Sequence, residues 1–408
     1  PWTDRTLTPH ERAAKLLAEM STEEKVTMLH GKESSEYTGL VDGNERLGIP
    51  TLKMSDGPQG MRDNNHVGTT TAFPSALTVA ATWDLSLCKQ WGIAMGEEFY
   101  DKGSNVQLGP GMNIARVPLN GRNFEYMSGG DSFLGYKLVQ PVIKGIQSTG
   151  VIANAKHWVE NNQETDRSTV SENVDERTRH ELYYRPFAGA VEAGVGSFMC
   201  SYNKVNGLWS CENPETLNTD LKEHLGFDGW VMSDWGATHS LSLEQGLDQE
   251  MPGQDYFGQS LLDALANNSI SETTVDDAVM RILVPMFDVG LFDNENNNDL
   301  SNDVRSEKHS TLTRTLSAAS HVLLKNTNDT LPLSVFSKPL KIAMFGGGVR
   351  APIIAGGGSG AVFPSKVEYG HALMDVLFGH VNPSGRLPLT LPNVENEVGF
   401  SRAQFPGI

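Results

Sequence analysis

The 408-residue sequence predicts an α/β protein built on a parallel barrel, with a smaller unit following it. Three observations carry that expectation. Short apolar stretches ending in Gly, Asp or Asn recur along the chain. Segments of helical period separate many of them, which is the strand, loop, helix rhythm of a parallel sheet. Several stretches also end in polar side chains, at Asp56, Lys156, His157, Tyr202 and Asp234. In a barrel every C-terminal strand end opens on one mouth, so these five would converge. In an open sheet they would be strung along an edge. The number of polar strand ends favours the barrel.

The N-terminal text "TPHERAAKLLAEMSTEEKVTML" predicts two short amphipathic helices, the second opened by Ser21 with Glu24 three residues on, the spacing of a capping box. The apolar stretches are "TLKMSDGPQG", "LTVAATWD", "NVQLGPGMN", "GVIANAKHW", "SFMCSYN", "GWVMSDW" and "GLDQEMPG". "ERTRHELYYRPFAGAVEAG" and "PETLNTDLKEHLG" are helices between them. This first domain is expected over 1–295. The polar, Asn-rich text after "VGLFD" reads as a linker, 296–310. The second unit, 311–408, is expected to hold the helix "HSTLTRTLSAASHVLLKN", a strand "LKIAMFGGG", a Gly-rich loop "AGGGSGAVFP", a helix "HALMDVLFG" and a turn "VNPSGRLPLTLP".

Composition narrows the partners. The formal net charge is -18 and there is no block of Lys and Arg, which argues against nucleic acid and anionic membrane. No apolar run approaches the roughly 20 residues of a membrane-spanning helix. Cys200 and Cys211 bracket a loop short enough for one local disulfide, a use typical of secreted proteins. Asn267 in "NNS" and Asn328 in "NDT" are glycosylation sequons, and the chain opens "PWTDRTL" as a processed form would. An extracellular location is therefore the expectation. The sequence leaves the oligomeric state open, a homodimer included.

The chemistry-bearing residues each allow a bland reading beside a functional one. "AGGGSG" lacks the Lys-Ser/Thr of a phosphate-binding loop, so it is read as a structural or ligand-contacting loop. The histidines and cysteines show no metal-ligand spacing, and no metal or cofactor is expected. Asn161, Glu164 and Arg167 follow the Lys156-His157 strand end directly, where a barrel has its rim, and Arg122 lies just past another strand end. Lys, Arg, His, Asp and Trp together suit a sugar: charged groups for its hydroxyls, an aromatic face for its C–H bonds. His157 alone would serve equally as a structural hydrogen-bonder. Asp234 has two readings as well, a helix N-cap or a carboxylate nucleophile kept ionised by Lys156 and Arg167. Trp235 beside it would shape the pocket.

Taken together, "SDGPQG", "GPGMNIARVPLNGRNFEY", "AKHWVENNQETDR", "MCSYNKVNG", "VMSDWGATHS", "EMPG", "LLKN" and "VNPSGRLPLTLP" resemble glycoside hydrolase family three, in its β-glucosidase branch. The resemblance implies a (β/α)8-type barrel followed by an α/β sandwich, with the sugar held between them. It implies a retaining exo-β-glucosidase acting on terminal β-D-glucosyl units of glucosides or short oligosaccharides, with Asp234 forming a covalent glycosyl-enzyme. It places Asp56, Arg122, Lys156, His157, Arg167, Met199, Tyr202 and Trp235 around the glucose, brings Ser359 from the second domain, and pairs Cys200 with Cys211. A retaining mechanism also needs a general acid roughly 5 Å from the nucleophile. Here the chain departs from the pattern: the family's acid/base Glu lies mid-sandwich, whereas "GGGSGAVFPSKVEYGHALMDVLFG" passes from an early sandwich segment to a late one. The sandwich is therefore expected to be partial. Glu368, at the join, lacks the family's acid/base surroundings. The alternatives are a non-catalytic glycan-binding or structural protein on the same fold, or a β-xylosidase-type specificity decided around Asp56.

Overall fold

The computed structural model describes residues 2–391 except 119, 295, 335–340, 350 and 366–368. Among the described residues nine strands run in chain order: β1 Gly39–Val41, β2 Leu52–Asp56, β3 Val106–Leu108, β4 Ile152–Trp158, β5 Ser171–Glu172, β6 Ser197–Cys200, β7 Lys204–Val205, β8 Leu208–Trp209 and β9 Trp230–Ser233. Six of them form one sheet, β1-β2-β3-β4-β6-β9, antiparallel at β1-β2 and parallel elsewhere. The other three make a small sheet beside the mouth, β5-β7-β8.

Two very short staves close the large sheet into a ring. Gln249 bridges to Met232 of β9, Glu250 bridges to His30, and Lys32 bridges to Leu40 of β1. The backbone bonds are Ser233 N–H to the Gln249 carbonyl (2.9 Å), Gly31 N–H to Glu250 (2.8 Å) and Lys32 N–H to Leu40 (2.9 Å). The barrel thus has eight staves among the described residues, two of them too short to count as strands. All seven residues of β4 are buried, as expected of a strand with side chains packed inside the ring and helices outside it.

The sequence dictates the helical shell locally. The helices Pro9–Leu17 and Thr22–Met28 each open on a complete capping box, Thr8 with Glu11 and Ser21 with Glu24. Helices Leu85–Asp101 and Ser132–Gln147 meet through glycines: a Cβ on Gly92 would lie 2.4 Å from the Val142 carbonyl oxygen, and one on Gly145 would lie 2.6 Å from that of Lys89. The Asn-rich segment after 295 lies along the barrel wall, not free of it. Asn296 and Asn302 donate to the Tyr100 and Asp101 carbonyls (both 2.9 Å), and Lys102 donates to Leu300 (2.6 Å). Its side-chain amides thus add hydrogen bonds to carbonyls at a helix C-terminus.

Two sequence expectations are corrected. "LTVAATWD" is not a strand but the helix Ala76–Ala80, because the Ser75 side chain accepts from Thr78 N–H and starts a helical turn. "LKIAMFGGG" is not a strand over 341–345, where Ile342, Met344 and Phe345 are exposed and pair with nothing described. Beyond 320 the described residues include the helix Tyr369–Leu377, packed on helix Glu307–Ala319 through Ala318, Ala372 and Val376, and no strand. Helix Glu307–Ala319 starts inside the stretch read as linker.

Candidate active site

The C-terminal strand ends converge on a cavity of about 510 Å³. β2 delivers Asp56, β4 delivers Lys156 and His157, β6 delivers Met199 and leads into Tyr202, and β9 ends one residue before Asp234. Arg122 and Arg167 come from the loops after β3 and β4, and Ser359 from the Gly-rich loop. Asp234 and the nine residues the resemblance places around the sugar, Trp235 among them, line this one cavity together with Glu164, whereas Asn161, expected at the rim, is buried behind His157 and does not. Thr38, Arg62 and Glu125 line it too, and the sequence pattern did not mark them.

Asp234 sits at the floor. Its backbone N–H donates to the Cys200 carbonyl (3.2 Å), and its Oδ1 accepts from Trp235 N–H at 2.7 Å. Its Oδ2 is buried, with no hydrogen-bond partner among the described residues, 3.5 Å from His157 Nε2. The N-cap reading of Asp234 fails, since no helix begins between 235 and 258. Trp235 is held by its Nε1–H, which donates to the Thr38 carbonyl at 3.1 Å. Its ring edge occupies the space a Cβ on Gly39 would need, 2.8 Å away. The Tyr202 hydroxyl donates to the Trp235 carbonyl (3.2 Å), and the Arg167 guanidinium stacks 4.3 Å from the Tyr202 ring centre.

The remaining polar groups form ion pairs around the walls. Arg122 Nε donates to Glu125 Oε1 at 2.5 Å and Nη2 to Ser359 Oγ at 3.2 Å. Lys156 Nζ lies 3.9 Å from Glu125 Oε2. Arg62 Nη1 donates to Asp56 Oδ2 at 3.1 Å, and Glu164 pairs with Arg167 at 3.1 Å on the rim. Burial pushes the Asp56 carboxyl above its ordinary range, opposed by Lys156 and Arg62. Burial, with Arg122 and Lys156 adding to it, holds His157 well below its ordinary value and so favours the uncharged imidazole. Burial and the Asp234 charge together push the Tyr202 phenol up.

The Gly-rich loop owes its composition to Phe124. A Cβ on Gly356 or Gly360 would lie 2.2 or 2.5 Å from the tip of that ring, so only glycine lets the loop wrap it and bring Ser359 to Arg122. Among the described residues no group of His, Cys, Asp and Glu could hold a metal ion. The arrangement suits a polyhydroxylated ring, with donors and acceptors around the wall, aromatic surface beside them and one uncommitted carboxylate oxygen at the floor.

A profile described as the glycosyl hydrolase family 3 N terminal domain matches residues 20–284. The chain belongs to glycosyl hydrolase family 3. Among solved members, β-glucosidase 3B from Thermotoga neapolitana in complex with glucose superposes with a TM-score of 0.79 at 36% identity, covering 86% of this chain and 52% of that one. The β-D-glucoside glucohydrolase from Trichoderma reesei gives 0.75 at 38% identity, covering 80% and 47%. The Aspergillus terreus protein named "Probable beta-glucosidase L" is 42% identical over 358 residues, 83% of this chain and 48% of that protein. The chain spans about half the length of the curated relatives it matches.

In this family 3 chain Cys200 and Cys211 form a disulfide, with Cα atoms 5.2 Å apart, tying the end of β6 to the turn after β8. Met199 and Tyr202 flank its first half-cystine. Both sequon asparagines, Asn267 and Asn328, are exposed. Glu368 lies outside the described residues. No helix among the described residues is long and apolar enough to cross a membrane.

Proposed function

We propose that this chain carries the sugar site and nucleophile of a retaining exo-β-glucosidase. The observation that carries the reading is Asp234 Oδ2, buried and unpartnered at the floor of a cavity whose walls are sugar-binding in character. The β-glucosidase names of the relatives, and the glucose bound in the Thermotoga protein, support a terminal β-D-glucosyl substrate. Asp56, Arg122, Lys156, His157 and Arg167 bind its hydroxyls, while Trp235 and Tyr202 pack on its C–H faces. Oδ2 attacks the anomeric carbon as the bond to the leaving oxygen breaks. Water then hydrolyses the glycosyl ester, returning the Asp234 carboxylate with net retention.

The leaving oxygen needs a proton unless it is already a good leaving group. Every described carboxylate lining the cavity other than Asp234 is ion-paired with arginine: Asp56 with Arg62, Glu125 with Arg122, Glu164 with Arg167. Glu125 Oε2 has no hydrogen-bond partner among the described residues, but it faces Lys156 at 3.9 Å, which favours the ionised carboxylate over a proton-donating acid. Activated aryl glucosides are therefore the substrates of choice, and azide should accelerate release of the glycosyl group. A 2-deoxy-2-fluoro glucoside should label Asp234 in a peptide map, and Asp234→Ala should fold normally without turnover. Full activity in that variant would end the reading. The same paired carboxylates favour a second reading, a glycan-binding protein without turnover. It predicts glucose binding with neither labelling nor azide response. An extracellular, glycosylated protein fits the disulfide and the exposed sequons, and is checked by the mass lost on treatment with a peptide N-glycosidase.

A further inference from the structure

Behind His157, away from the cavity, stands a buried pair that the sugar would not touch. The Tyr126 hydroxyl lies 3.1 Å from His157 Nδ1 and accepts from Asn161 Nδ2 at 3.2 Å. Tyr126 is 0% exposed and Asn161 1%. The two rings meet edge to face, 5.9 Å apart at 75°. Asn113 clamps the His157 backbone from both sides, accepting its N–H at 2.7 Å and donating to its carbonyl at 2.9 Å. That fixes where the imidazole is rooted. The position of its proton is left to Tyr126.

Two proton arrangements fit these positions. In the first, Asn161 donates to the Tyr126 oxygen, the phenol donates to Nδ1, and the imidazole proton sits on Nε2. In the second the amide is reversed, the phenol donates to the Asn161 carbonyl, Nδ1–H donates to the phenol, and Nε2 carries a bare lone pair. Asp234 decides between them. Its unpartnered Oδ2 lies 3.5 Å from Nε2, so the second arrangement sets a lone pair against a carboxylate oxygen, while the first offers that oxygen an N–H.

We infer that Tyr126, oriented by Asn161, is a positioning residue that locks His157 as its Nε2–H tautomer and keeps that proton on the side of the imidazole facing Asp234, whose free oxygen lies 3.5 Å from Nε2. An uncharged N–H stabilises the carboxylate without pairing it to a full positive charge, and it donates to a sugar hydroxyl when one enters. The catalytic part of this inference rests on Asp234 being the nucleophile. The tautomer does not.

The test is nitrogen-15 NMR on the full chain labelled at histidine, with the His157 signal assigned by its loss in His157→Gln. The expected result is a protonated Nε2 and a bare Nδ1. Tyr126→Phe removes the hydroxyl, and should mix the tautomers and lower kcat/KM for an aryl glucoside on the order of tenfold, the scale carried by outer partners that orient an imidazole. Asn161→Asp turns the donor into an acceptor, so the phenol swings away from the ring and a proton appears on Nδ1. A wild-type proton on Nδ1 overturns the inference, and so does a folded Tyr126→Phe protein with unchanged tautomer and unchanged kcat/KM. Should Tyr126→Phe not fold, a bare Nδ1 in folded Asn161→Asp overturns it equally. Because the NMR signal needs no turnover, a chain with the expected tautomer but no label on Asp234 would sink the glucosidase reading alone.

Discussion

Glu125 is the residue on which two of the cavity's cations depend. It accepts from Arg122 at 2.5 Å and faces Lys156 at 3.9 Å, with its side chain 1% exposed. Removing one partner of a buried ion pair costs about 3–5 kcal/mol, because the charge left behind has lost both water and counter-ion. Glu125→Gln is accordingly expected to lower the urea midpoint by an amount of that order, and to weaken glucose binding measured by calorimetry. An unchanged glucose affinity would show that Arg122 and Lys156 hold their places without it. Asp234 and Asp56 were legible in the sequence, since a carboxylate closing an apolar run is anomalous. Glu125 was not. A Glu three residues after an Arg reads as an ordinary local pair, and only the loop geometry shows that its second oxygen faces Lys156 of β4 at 3.9 Å.

At the scale of elements, helix Glu307–Ala319 is latched to helix Leu85–Asp101 by one imidazole. His309 Nδ1 lies 2.8 Å from Glu98 Oε1 and its Nε2 lies 3.0 Å from Glu97 Oε2, while Lys308 also reaches Glu97 at 2.8 Å. Burial opposes charge on His309, but the hydrogen bonds to Glu98 and Glu97 outweigh it and hold its pKa above the ordinary 6.5. A raised pKa means the latch contributes fully below pH 6.5 and is lost as pH climbs through the raised value. His309→Gln should cost on the order of 1–3 kcal/mol at acid pH, with the difference shrinking as pH rises. Hydrogen exchange of the amides in 307–319 is the measurement, and a pH-independent difference would refute the latch. Of the two helices joined by this latch, Glu307–Ala319 was legible in the sequence as a helix starting at residue 309, whereas Leu85–Asp101 was not. The stave at 249–251 falls within "GLDQEMPG", which reads as a strand; the one at 30–32 does not, because it joins the ring through bridging residues alone and leaves no apolar run to read. "LTVAATWD" misled for the opposite reason: five apolar residues suit a short helix as well as a strand, and the serine cap decides.

For the whole molecule, the contrast is between a closed ring and the chain beyond it. Ile342, Met344, Phe345 and Ile353 are 53, 60, 88 and 94% exposed, an apolar exposure that no barrel stave shows. A brief thermolysin digest is expected to cut first between 341 and 357, leaving a resistant fragment that contains the barrel. First cuts between 39 and 234, read by mass spectrometry, would contradict that order of stability. The ring itself has a seam where residue 30 meets residue 250, and the pocket straddles it, with Thr38 on one bank and Trp235 on the other. On the ribosome the Thr38 bank emerges well before the Trp235 bank. A nascent chain therefore carries half a pocket and an open edge at the 30–32 stave until residues 249–251 emerge and close the ring, and Ser359 reaches the pocket later still.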